Sequence, residues 1–413
     1  MPILIQNATL IDGTGAAPVS DGAVLLDGTN IVAAGRRNEV RVHAASGAQV
    51  IDAAGGTILP GLINCHDHVY RKTLRTPKPG GTYRDSAAEL TSMAPLRLIL
   101  LSASNMKKEL ATGFTTIRDL GSGIDLSISL RDAINSGWVD GPRIIAAGQP
   151  IAMTGGHGWK MARECDGPDE VRKAVREQLK AGADCIKLMA TGGLASMPIE
   201  DPQTVEMTED ELRAGIEESH KRGRLTCAHA DATEGIKNAI RAGIDSIEHG
   251  AYLDDESIQM MLDRGTTLTP TLSGLWRVAV FFYEAGDKGM GDLITRRAIE
   301  PHEESFTKAA KAGILYAAGS DSAGEMIEEL ELMMKCGVSA PDAIVSATGS
   351  AAKVCGIEDR LGTLEAGKLA DLFVCDGDPI ERIGALRDIG CVIKDGQIVE
   401  GTLKLSLADL SAV

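Results

Sequence analysis

One unit recurs through the middle of the chain and constrains its fold more than any other feature. In each copy a helical pattern ends at a glycine, and a short β-rich run follows within a few residues. Six copies have this form, at Gly113, Gly182, Gly223, Gly243, Gly265 and Gly313. Glycine suits the left-handed position that ends a helix, where other residues are strained. Helices that alternate with short apolar strands predict parallel βαβ units.

The number of these units favours a closed barrel. Further strands are predicted in LPGLINCH and PRIIAAG. They raise the total to eight, the number that closes a (β/α)8 barrel. We therefore predict an α/β protein with a (β/α)8 TIM-like barrel over residues 58–358. A doubly wound open sheet is the structural alternative.

Both ends of the chain differ from this middle. Short apolar runs alternate with turn signals there, as in GAVLLDGTNIVAAG and VIKDGQIVEG. Asp27-Gly28 and Asp395-Gly396 are candidate hairpin turns. We expect residues 1–57 and 359–413 to form one small β-sandwich domain built from the N- and C-terminal segments.

Composition narrows the range of partners. The 413 residues carry a formal net charge of -16, and an acidic surface repels phosphate backbones and anionic membranes. No apolar span is long enough for a transmembrane helix, and the N-terminal residues lack the features of a secretory leader. The eight cysteines include no CxxC pair, which is typical of reduced thiols. We expect a cytoplasmic protein without a nucleic-acid or membrane partner.

Ionisable side chains near the ends of the predicted strands indicate a chemistry. In a barrel, catalytic groups come from the C-terminal ends of several strands, which meet at one rim. Here those ends carry residue types that bind metals. They are His66, His68, Lys187, His229, His249 and Asp321. Taken singly, each histidine could instead be a hydrogen-bonded core residue.

Three of these residues, His66, His68 and Asp321, have roles that follow from local chemistry. His66 and His68 form an HxH pair in LINCHDH, and residues two apart on a strand point the same way, so both imidazoles can hold one ion. Asp321 at a strand end suits a metal ligand that also moves a proton. The alternative for Asp321 is a helix cap.

Lys187 lies inside the apolar run CIKLM. Strand alternation predicts that it faces the barrel interior with Cys185 and Met189. A buried, unpaired ammonium is costly and tends to lose its proton. We expect the neutral amine to react with carbon dioxide, which gives a carbamate that can bridge two metals. The alternative is a lysine paired with a carboxylate inside the barrel.

Three further residues are candidates for substrate binding. His157 lies in the glycine-rich string TGGHG after the third strand, where loops commonly contact substrate; a plain surface loop is the alternative. Tyr70 and Tyr252 closely follow two of the metal-binding histidines, and each could bind substrate or pack in the wall. The other three histidines are assigned no role, because they precede the barrel (His43) or are predicted to lie on helix surfaces (His220 and His302).

These residues resemble the amidohydrolase superfamily, in its binuclear form with a carboxylated lysine. The order of the metal-binding residues matches, and so do the flanking strings NATLIDGTG and GTLEAGKLADLFVCDGDP. TGGHG, IKLMATGG, CAHA and IEHG look most like the prolidase-like dipeptidase and carboxypeptidase branch, which also includes ochratoxin-degrading amide hydrolases. The resemblance implies His157 as a substrate contact and a substrate carboxylate beside the scissile amide. Cys65 departs from the commoner pattern, and we expect it to pack.

The resemblance thus implies hydrolysis of an amide bond in a dipeptide or N-acyl amino acid with a free carboxylate. The predicted nucleophile is a hydroxide that bridges two divalent metals about 3.5–4 Å apart, with zinc as the default in an imidazole-rich site. Asp321 and Lys187 are the predicted catalytic residues. Three alternatives remain: an aryl amide, carbamate or phenylurea hydrolase, an imidazolonepropionase-like cyclic amidohydrolase or deaminase, and a non-enzymatic scaffold. We expect a small-molecule substrate and a homo-oligomer.

Overall fold

The computed structural model of the protein describes residues 1–44, 48–70, 92–123, 125–193, 201–403 and 405–407. Spatial proximity divides the chain into two compact units. One comprises Met1–Ile63, Lys107–Thr116 and Ser339–Val413, and the other comprises Asn64–Met106 and Ile117–Val338. The predicted domain boundaries, 1–57 with 359–413 and then 58–358, stay a prediction.

The described residues form short strands at both ends of the chain and alternating strands and helices in the middle. The strands are β1 Ile3–Leu10, β2 Val19–Asp27, β3 Asn30–Arg36, β4 Gln49–Asp52, β5 Thr57–Pro60, β6 Leu62–Asp67, β7 Phe114–Asp119, β8 Arg143–Ala146, β9 Ile151–Ala152, β10 Arg163–Glu164, β11 Cys185–Met189, β12 Leu225–Ala230, β13 Ser246–His249, β14 Thr267–Thr269, β15 Leu372–Cys375, β16 Ile389–Lys394, β17 Gln397–Gly401 and β18 Leu405–Leu407. The helices are α1 Arg37–Arg41, α2 Pro95–Ala111, α3 Leu126–Asn135, α4 Pro168–Ala181, α5 Glu209–His220, α6 Thr233–Ala242, α7 Asp255–Arg264, α8 Leu272–Glu284, α9 Lys288–Ile294, α10 Glu300–Ala312, α11 Met326–Lys335, α12 Ala340–Ser346 and α13 Gly349–Val354. A π-helical turn, Thr295–Ile299, joins α9 to α10, and a 3-10 turn spans Ile383–Arg387.

The terminal strands form one hydrogen-bonded sheet that branches at β1. Its main order is β17-β16-β15-β5-β1-β2-β3, and β4 pairs with both β1 and β18. One edge of β1 is antiparallel to β2. The other edge is parallel to β4 at one end and to β5 at the other. Ile3 and Ile5 pack in one buried cluster, whereas Leu4 packs in another. Residues of β1 and β2 share one of these clusters with residues of β15 and β16, for example Ile5 and Val24 with Leu372 and Ile393. The prediction that both chain ends build one β-rich domain is therefore confirmed, with β1 common to both arms of its sheet.

The two predicted hairpin turns are confirmed. Asp27-Gly28 lies between the antiparallel strands β2 and β3, and Asp395-Gly396 joins β16 to β17. Both Asp395 and Gly396 have positive φ, 48° and 73°. A two-residue turn with this geometry matches the right-handed twist of the flanking strands.

Seven of the eight predicted barrel strands are regular strands. β6, β7 and β8 form one sheet, and β11, β12, β13 and β14 form the core of a second one. The strands β11 to β14 pair in parallel. The amide of Asp184, just before β11, donates to the Ala146 carbonyl at the end of β8, which links the two sheets.

The eighth predicted strand is irregular. The segment 315–318 accepts a hydrogen bond from the Leu268 amide through Leu315 O (3.0 Å), and Ala317 N–H donates back to Leu268 O (2.9 Å). On its other side, Cys65 N–H donates to Ala318 O (3.0 Å). These bonds connect β14 to β6 through the segment, so the TIM-barrel prediction is confirmed.

Four of the six glycines predicted to end helices are C-cap residues. The four C-cap glycines of α4, α6, α7 and α10 have φ between 70° and 102°. At the start of α5, Thr208 and Glu211 form a capping box, which satisfies two amides that the helix itself leaves free. Within the described part of the chain, no helix combines the length and apolar character needed to cross a membrane.

Candidate metal centre

The six predicted metal-binding residues lie at the ends of four barrel strands and of the irregular eighth segment. His66 lies in β6, Lys187 in β11 and His229 in β12, and His249 is the last residue of β13. The four imidazoles and Lys187 are buried, whereas the Asp321 side chain is 29% exposed. Asp321 is therefore the member of the set that is most open to solvent.

The structure brings these side chains together. Potential ligand atoms of His66, His249 and Asp321 lie within 4.8 Å of one another. His68 Nε2 is 3.3 Å from Asp321 Oδ1. The ring of His229 adjoins that of His249, with 4.6 Å between ring centroids. Such a group of nitrogen and oxygen donors suits a divalent metal.

Hydrogen bonds fix which nitrogen of His66 and His68 faces this centre. His68 Nδ1 donates to the carbonyl oxygen of Gly121 (2.6 Å), because a carbonyl can only accept. His66 Nδ1 donates to Glu248 Oε2 (2.8 Å). In the neutral rings, both Nε2 atoms then carry lone pairs, and they lie 4.0 and 3.3 Å from Asp321 Oδ1. Acceptors that face one another repel unless a cation lies among them.

His229 is held through its other nitrogen. Its Nε2 donates to Gly192 O (3.1 Å) and lies 3.5 Å from Asp231 Oδ2, which leaves Nδ1 free to bind a metal. His249 resembles the first pair, since its Nδ1 is 2.6 Å from Thr271 Oγ1. Partners of this kind orient the ring and set its tautomer.

The environment favours the neutral form of three of the imidazoles, those of His66, His229 and His249. Burial, followed by the charge of Lys187, lowers the pKa of His66 to about 4. Burial also holds the pKa values of His229 and His249 well below the usual range, with further lowering by neighbouring charged groups. A metal needs the neutral form of histidine, so these rings are ready to bind one at neutral pH.

The surroundings of the Lys187 side chain fit the predicted conversion to a carbamate. Its Nζ has no hydrogen-bond partner among the described residues, although the side chain is only 2% exposed. Burial lowers the pKa of Lys187, and the charges of Glu248, Cys227 and Asp321 oppose that shift only in part. The lowered pKa favours the neutral amine that the predicted carbamate requires. Among the described residues, no carboxylate accepts the hydrogen bond from Lys187 Nζ that the alternative would require.

Three non-glycine residues near this centre have left-handed backbone conformations. The φ angles are 72° for His249, 55° for Thr271 and 54° for Asp321. Side chains with a Cβ are strained in this region, at a cost of about 1–3 kcal/mol each. Strain of this size persists only where the surroundings enforce it, and such residues cluster at functional sites.

His157 lies directly against this centre. Its ring stacks on that of His229, with centroids 4.1 Å apart and planes inclined by 20°. Its backbone amide donates to Glu206 Oε2 (2.7 Å), which holds the TGGHG loop over the barrel. This position is compatible with the predicted substrate contact, and that role stays a prediction.

The two tyrosines have hydroxyl groups that are engaged elsewhere. Tyr70 is buried, its ring centroid is 6.5 Å from that of His68, and its hydroxyl donates to Met161 Sδ (2.9 Å). The Tyr252 hydroxyl donates to the carbonyl of Arg297. Both hydroxyls therefore have partners within the protein, and substrate contact by either tyrosine stays a prediction.

Glu248 is a residue of the site that sequence reasoning missed. Its fully buried carboxylate accepts hydrogen bonds from His66 Nδ1 (2.8 Å), Arg118 Nη2 (2.9 Å) and Ser246 Oγ (2.6 Å). Burial raises the pKa of Glu248, but the charge of Arg118 and the bond from His66 outweigh it, so the pKa lies well below the usual range. The sequence does contain a signal for this role. Glu248 is a charged residue inside a buried strand, and such residues are rarely buried without a partner.

Replacing Glu248 with glutamine should weaken metal binding about 10- to 100-fold, because Glu248 orients His66 and increases its basicity. The measurement is a competition titration of the metal-free protein with zinc and a chromophoric chelator. The matched control is Glu218→Gln, which alters another carboxylate that is paired with an arginine (Arg176, 2.8 Å) on α5. Equal metal affinities for Glu248→Gln and the wild type would show that this contact does not support the site.

The expected surface position of His302 is wrong. The side chain is 1% exposed and its Nε2 donates to the His249 carbonyl (3.0 Å). It belongs to the inner face of α10 with Ser305, Phe306 and Ala309. That spacing of three, four and seven residues is the ordinary helical pattern of a buried face, and it was the signal available in the sequence.

His302 should make the stability of the metal-free protein depend on pH. Burial lowers the pKa of His302 to about 4, below the usual 6.5 or so of an exposed histidine. The contribution of His302 to the free energy of unfolding is complete above about pH 6.5. It is lost as the pH falls toward 4, because the histidine of the unfolded chain binds a proton at a higher pH than the buried one. The loss is on the order of 3 kcal/mol.

Urea unfolding between pH 7 and pH 4.5 tests this prediction. His302→Gln should flatten the decline in unfolding free energy, whereas His220→Gln, at an exposed helix position, should not. The same slope for His302→Gln and wild type would contradict it.

A TIM barrel that gathers histidines and an acid at its strand ends defines a class of hydrolases that bind divalent metals. The particular family follows from comparison with known proteins. Residues 57–399 match the model of the Amidohydrolase family, and the chain belongs to this family.

Individual relatives agree with this assignment. Ochratoxinase from Aspergillus niger is 28% identical over 436 aligned positions, which cover 96% of this chain and 86% of that protein. A Xaa-Pro dipeptidase with methionine bound in its active site is 33% identical, with a TM-score of 0.83 and coverage of 97% and 100% of the two chains. A prolidase in complex with N-methylphosphonate-L-proline is 29% identical, with a TM-score of 0.85 and coverage of 96% and 99%.

The predicted resemblance is therefore confirmed at the level of the family and its prolidase- and ochratoxinase-like branch. The chain is a hydrolase that acts on C–N bonds. This outcome removes the non-enzymatic scaffold from the alternatives. The substrate, the identity of the metals and the modification of Lys187 are separate questions.

Proposed function

We propose that this protein hydrolyses the amide bond of a dipeptide or N-acyl amino acid whose free carboxylate lies beside the scissile bond. One observation carries the proposal: the buried Lys187 amine has no hydrogen-bond partner among the described residues, and it lies close to the His66 imidazole and the Asp321 carboxylate. A structural lysine would need a counter-charge at its Nζ. A lysine that becomes an anionic metal ligand instead needs space beside its Nζ for the metal cations.

The proposed centre holds two divalent cations, with zinc as the default. His66, His68 and Asp321 would hold one cation, and His229 and His249 would hold the other. Lys187 would bridge them as a carbamate. That group forms when the neutral amine nitrogen bonds to the carbon of carbon dioxide and releases one proton. When bound, the cations polarise the amide carbonyl and lower the pKa of a water to about 7.

Asp321 would move the proton. Its Oδ1 accepts hydrogen bonds from the amide and hydroxyl of Ser322, which hold the carboxylate at the open side of the centre. The carboxylate would take a proton from the attacking water and deliver it to the leaving amide nitrogen. General acid–base assistance of this kind contributes about 10²- to 10⁴-fold in rate.

His157 would bind the substrate carboxylate, with Tyr70 and Tyr252 as the other predicted contacts. The His157 ring stacks on the His229 ring, with 4.1 Å between centroids. An N–H group of His157 would therefore lie next to the proposed metal centre. Two of the similar structures contain methionine and a proline derivative in their complexes. Both are amino-acid ligands with an α-carboxylate, which supports a substrate of this class.

The test is hydrolysis of paired substrates by the full-length, zinc-loaded protein. Each dipeptide and N-acyl amino acid is compared with the same compound in which the carboxylate is amidated. The carboxylate form should have a kcat/KM at least about tenfold higher, since tenfold corresponds to 1.4 kcal/mol of differential binding. A parallel series contains aryl amides, phenylureas and cyclic amides.

The outcomes discriminate between the alternatives. Equal cleavage of the amidated compounds would contradict the carboxylate requirement. Turnover confined to the aryl or cyclic series would replace the peptidase proposal with one of those activities. Protein stripped of metal by a chelator is the control and should be inactive. A cytoplasmic location and a homo-oligomeric state remain predictions.

A further inference from the structure

A cavity of about 250 Å³ lies beside the metal centre. Its walls include Tyr70, Gly123, Leu126 and Met161, with Ile99 of α2 opposite. Tyr70 follows β6, and Gly123 follows β7, so the cavity opens at the same strand ends that carry the histidines. Active sites of barrels are built from these loops.

Tyr70 connects the cavity to the centre. Its ring lies at 75° to that of His68, with 6.5 Å between centroids. On its other side its hydroxyl reaches the Met161 sulfur, 2.9 Å away. The Gly121 carbonyl that orients His68 lies two residues before Gly123 of the cavity wall. A single aromatic ring therefore separates the cavity from the nearest metal-binding imidazole.

The size and charge of the cavity restrict what it can hold. Complete ligand pockets usually measure about 300–1,000 Å³, so this volume fits one part of a substrate. The walls are mostly aliphatic and aromatic, and Lys160 is the charged group among the described lining residues. A basic substrate side chain would be repelled by Lys160. A neutral apolar side chain would gain free energy because it would be transferred from water to an apolar surface.

We propose that this cavity is the subsite for an apolar side chain of the substrate, aliphatic or aromatic and not basic. This inference rests on the proposed amide hydrolysis. It adds that side-chain preference is set beside His68, by Tyr70, Gly123 and Met161 together with the first turns of α2. A hydrophobic pocket discriminates by about 10- to 200-fold for a single methylene group, so the preference should be easy to measure.

Gly123 offers a way to fill the cavity without strain. Its φ lies outside the left-handed region, and a Cβ added there would meet Met161 at 3.9 Å, an ordinary contact. Gly123→Leu therefore places bulk against Met161 inside the cavity. The matched control is Gly289→Leu, at an exposed glycine of α9 that also lacks positive φ, with Asp287 at 3.7 Å.

The experiment measures kcat/KM of the full-length, zinc-loaded proteins on dipeptides that pair glycine, in either position, with Gly, Leu, Phe or Lys. Wild type should prefer Leu or Phe over Gly and Lys by at least about tenfold at one position. Gly123→Leu should abolish that preference, by lowering kcat/KM for the Leu and Phe dipeptides more than for Gly-Gly. Gly289→Leu should keep it.

A preference that survives in Gly123→Leu would overturn the subsite. If that variant fails to fold by circular dichroism, Ile99→Ala replaces it; this variant enlarges the cavity and should shift the optimum from Leu toward Phe. An unchanged optimum would again overturn the proposal. Absence of hydrolysis of every dipeptide by wild type is a different result, since it rejects the proposed function itself.

Discussion

Lys187→Ala is expected to lose bound metal and hydrolytic activity together. Lys187 is buried without a hydrogen-bond partner among the described residues. It is close enough to His66, His229 and His249 to interact with each of them electrostatically. If its carbamate bridges both cations, removal leaves each of them short of one anionic ligand. Loss of a residue that only hydrogen-bonds to a metal ligand lowers metal affinity or activity about 10- to 100-fold. Loss of a bridging ligand should therefore lower metal affinity more than about 100-fold.

Metal content by mass spectrometry and turnover of the best dipeptide are measured on the same preparations. Lys237→Ala is the matched control, because Lys237 is also largely buried but its Nζ contacts Asp254 (2.7 Å) and Glu256 (2.5 Å). That variant should keep its metal. Two metals and full activity in Lys187→Ala would contradict the bridging role.

Chemical rescue separates an anionic ligand from a structural ammonium. Truncation of Lys187 leaves a cavity large enough for a short carboxylate, and acetate or propionate can supply the missing anionic oxygens. Added carboxylate should therefore restore part of the metal content and activity of Lys187→Ala, whereas methylammonium should not. Rescue by the amine alone would identify Lys187 as a cationic residue.

Asp321→Asn is expected to lower kcat by about 10²- to 10⁴-fold, the usual contribution of a positioned acid or base. Asparagine keeps the size of the side chain and one oxygen ligand, but it cannot accept and return a proton. Assays at saturating zinc separate this effect from weaker metal binding. KM should change much less than kcat, since the proton moves only during the reaction.

Asp263→Asn provides the comparison for Asp321→Asn. Asp263 lies exposed on α7, where it accepts a hydrogen bond from Gln259 (2.8 Å). Its replacement should leave kcat and KM as in wild type. Full kcat in metal-saturated Asp321→Asn would assign the proton transfer to another group, and Asp231, whose pKa burial raises to about 7, would be the next residue to test.

The barrel could be predicted because its signals are local. A glycine that ends a helix and a short apolar run after it are readable without tertiary contacts. The eighth strand shows the limit of this reasoning. Its string LYAAGSD is apolar enough to predict a strand, but the regularity of the pairing depends on Leu268 and Cys65, which are distant in sequence.

The convergence of the predicted metal-binding residues could be foreseen because parallel strands place their C-terminal ends at one rim. Their supporting contacts could not. Strand alternation puts Glu248 and His249 on opposite faces, and this hides Glu248 as a partner of the centre. His249 has a φ of 72°, so alternation ends at this residue and both side chains belong to the site. That conformation depends on packing and is absent from any local pattern.

The branching terminal sheet sets an order of events during synthesis. β5 pairs with β15, and Thr57 Oγ1 donates to the Gly377 carbonyl, 320 positions further along the chain. At about 5–20 residues per second, the ribosome needs roughly 15–60 s to deliver that partner. Until then the edge of β5 is unpaired, and open edges invite association with other chains. Nascent protein is therefore most exposed to aggregation, and most dependent on chaperones, before β15 emerges.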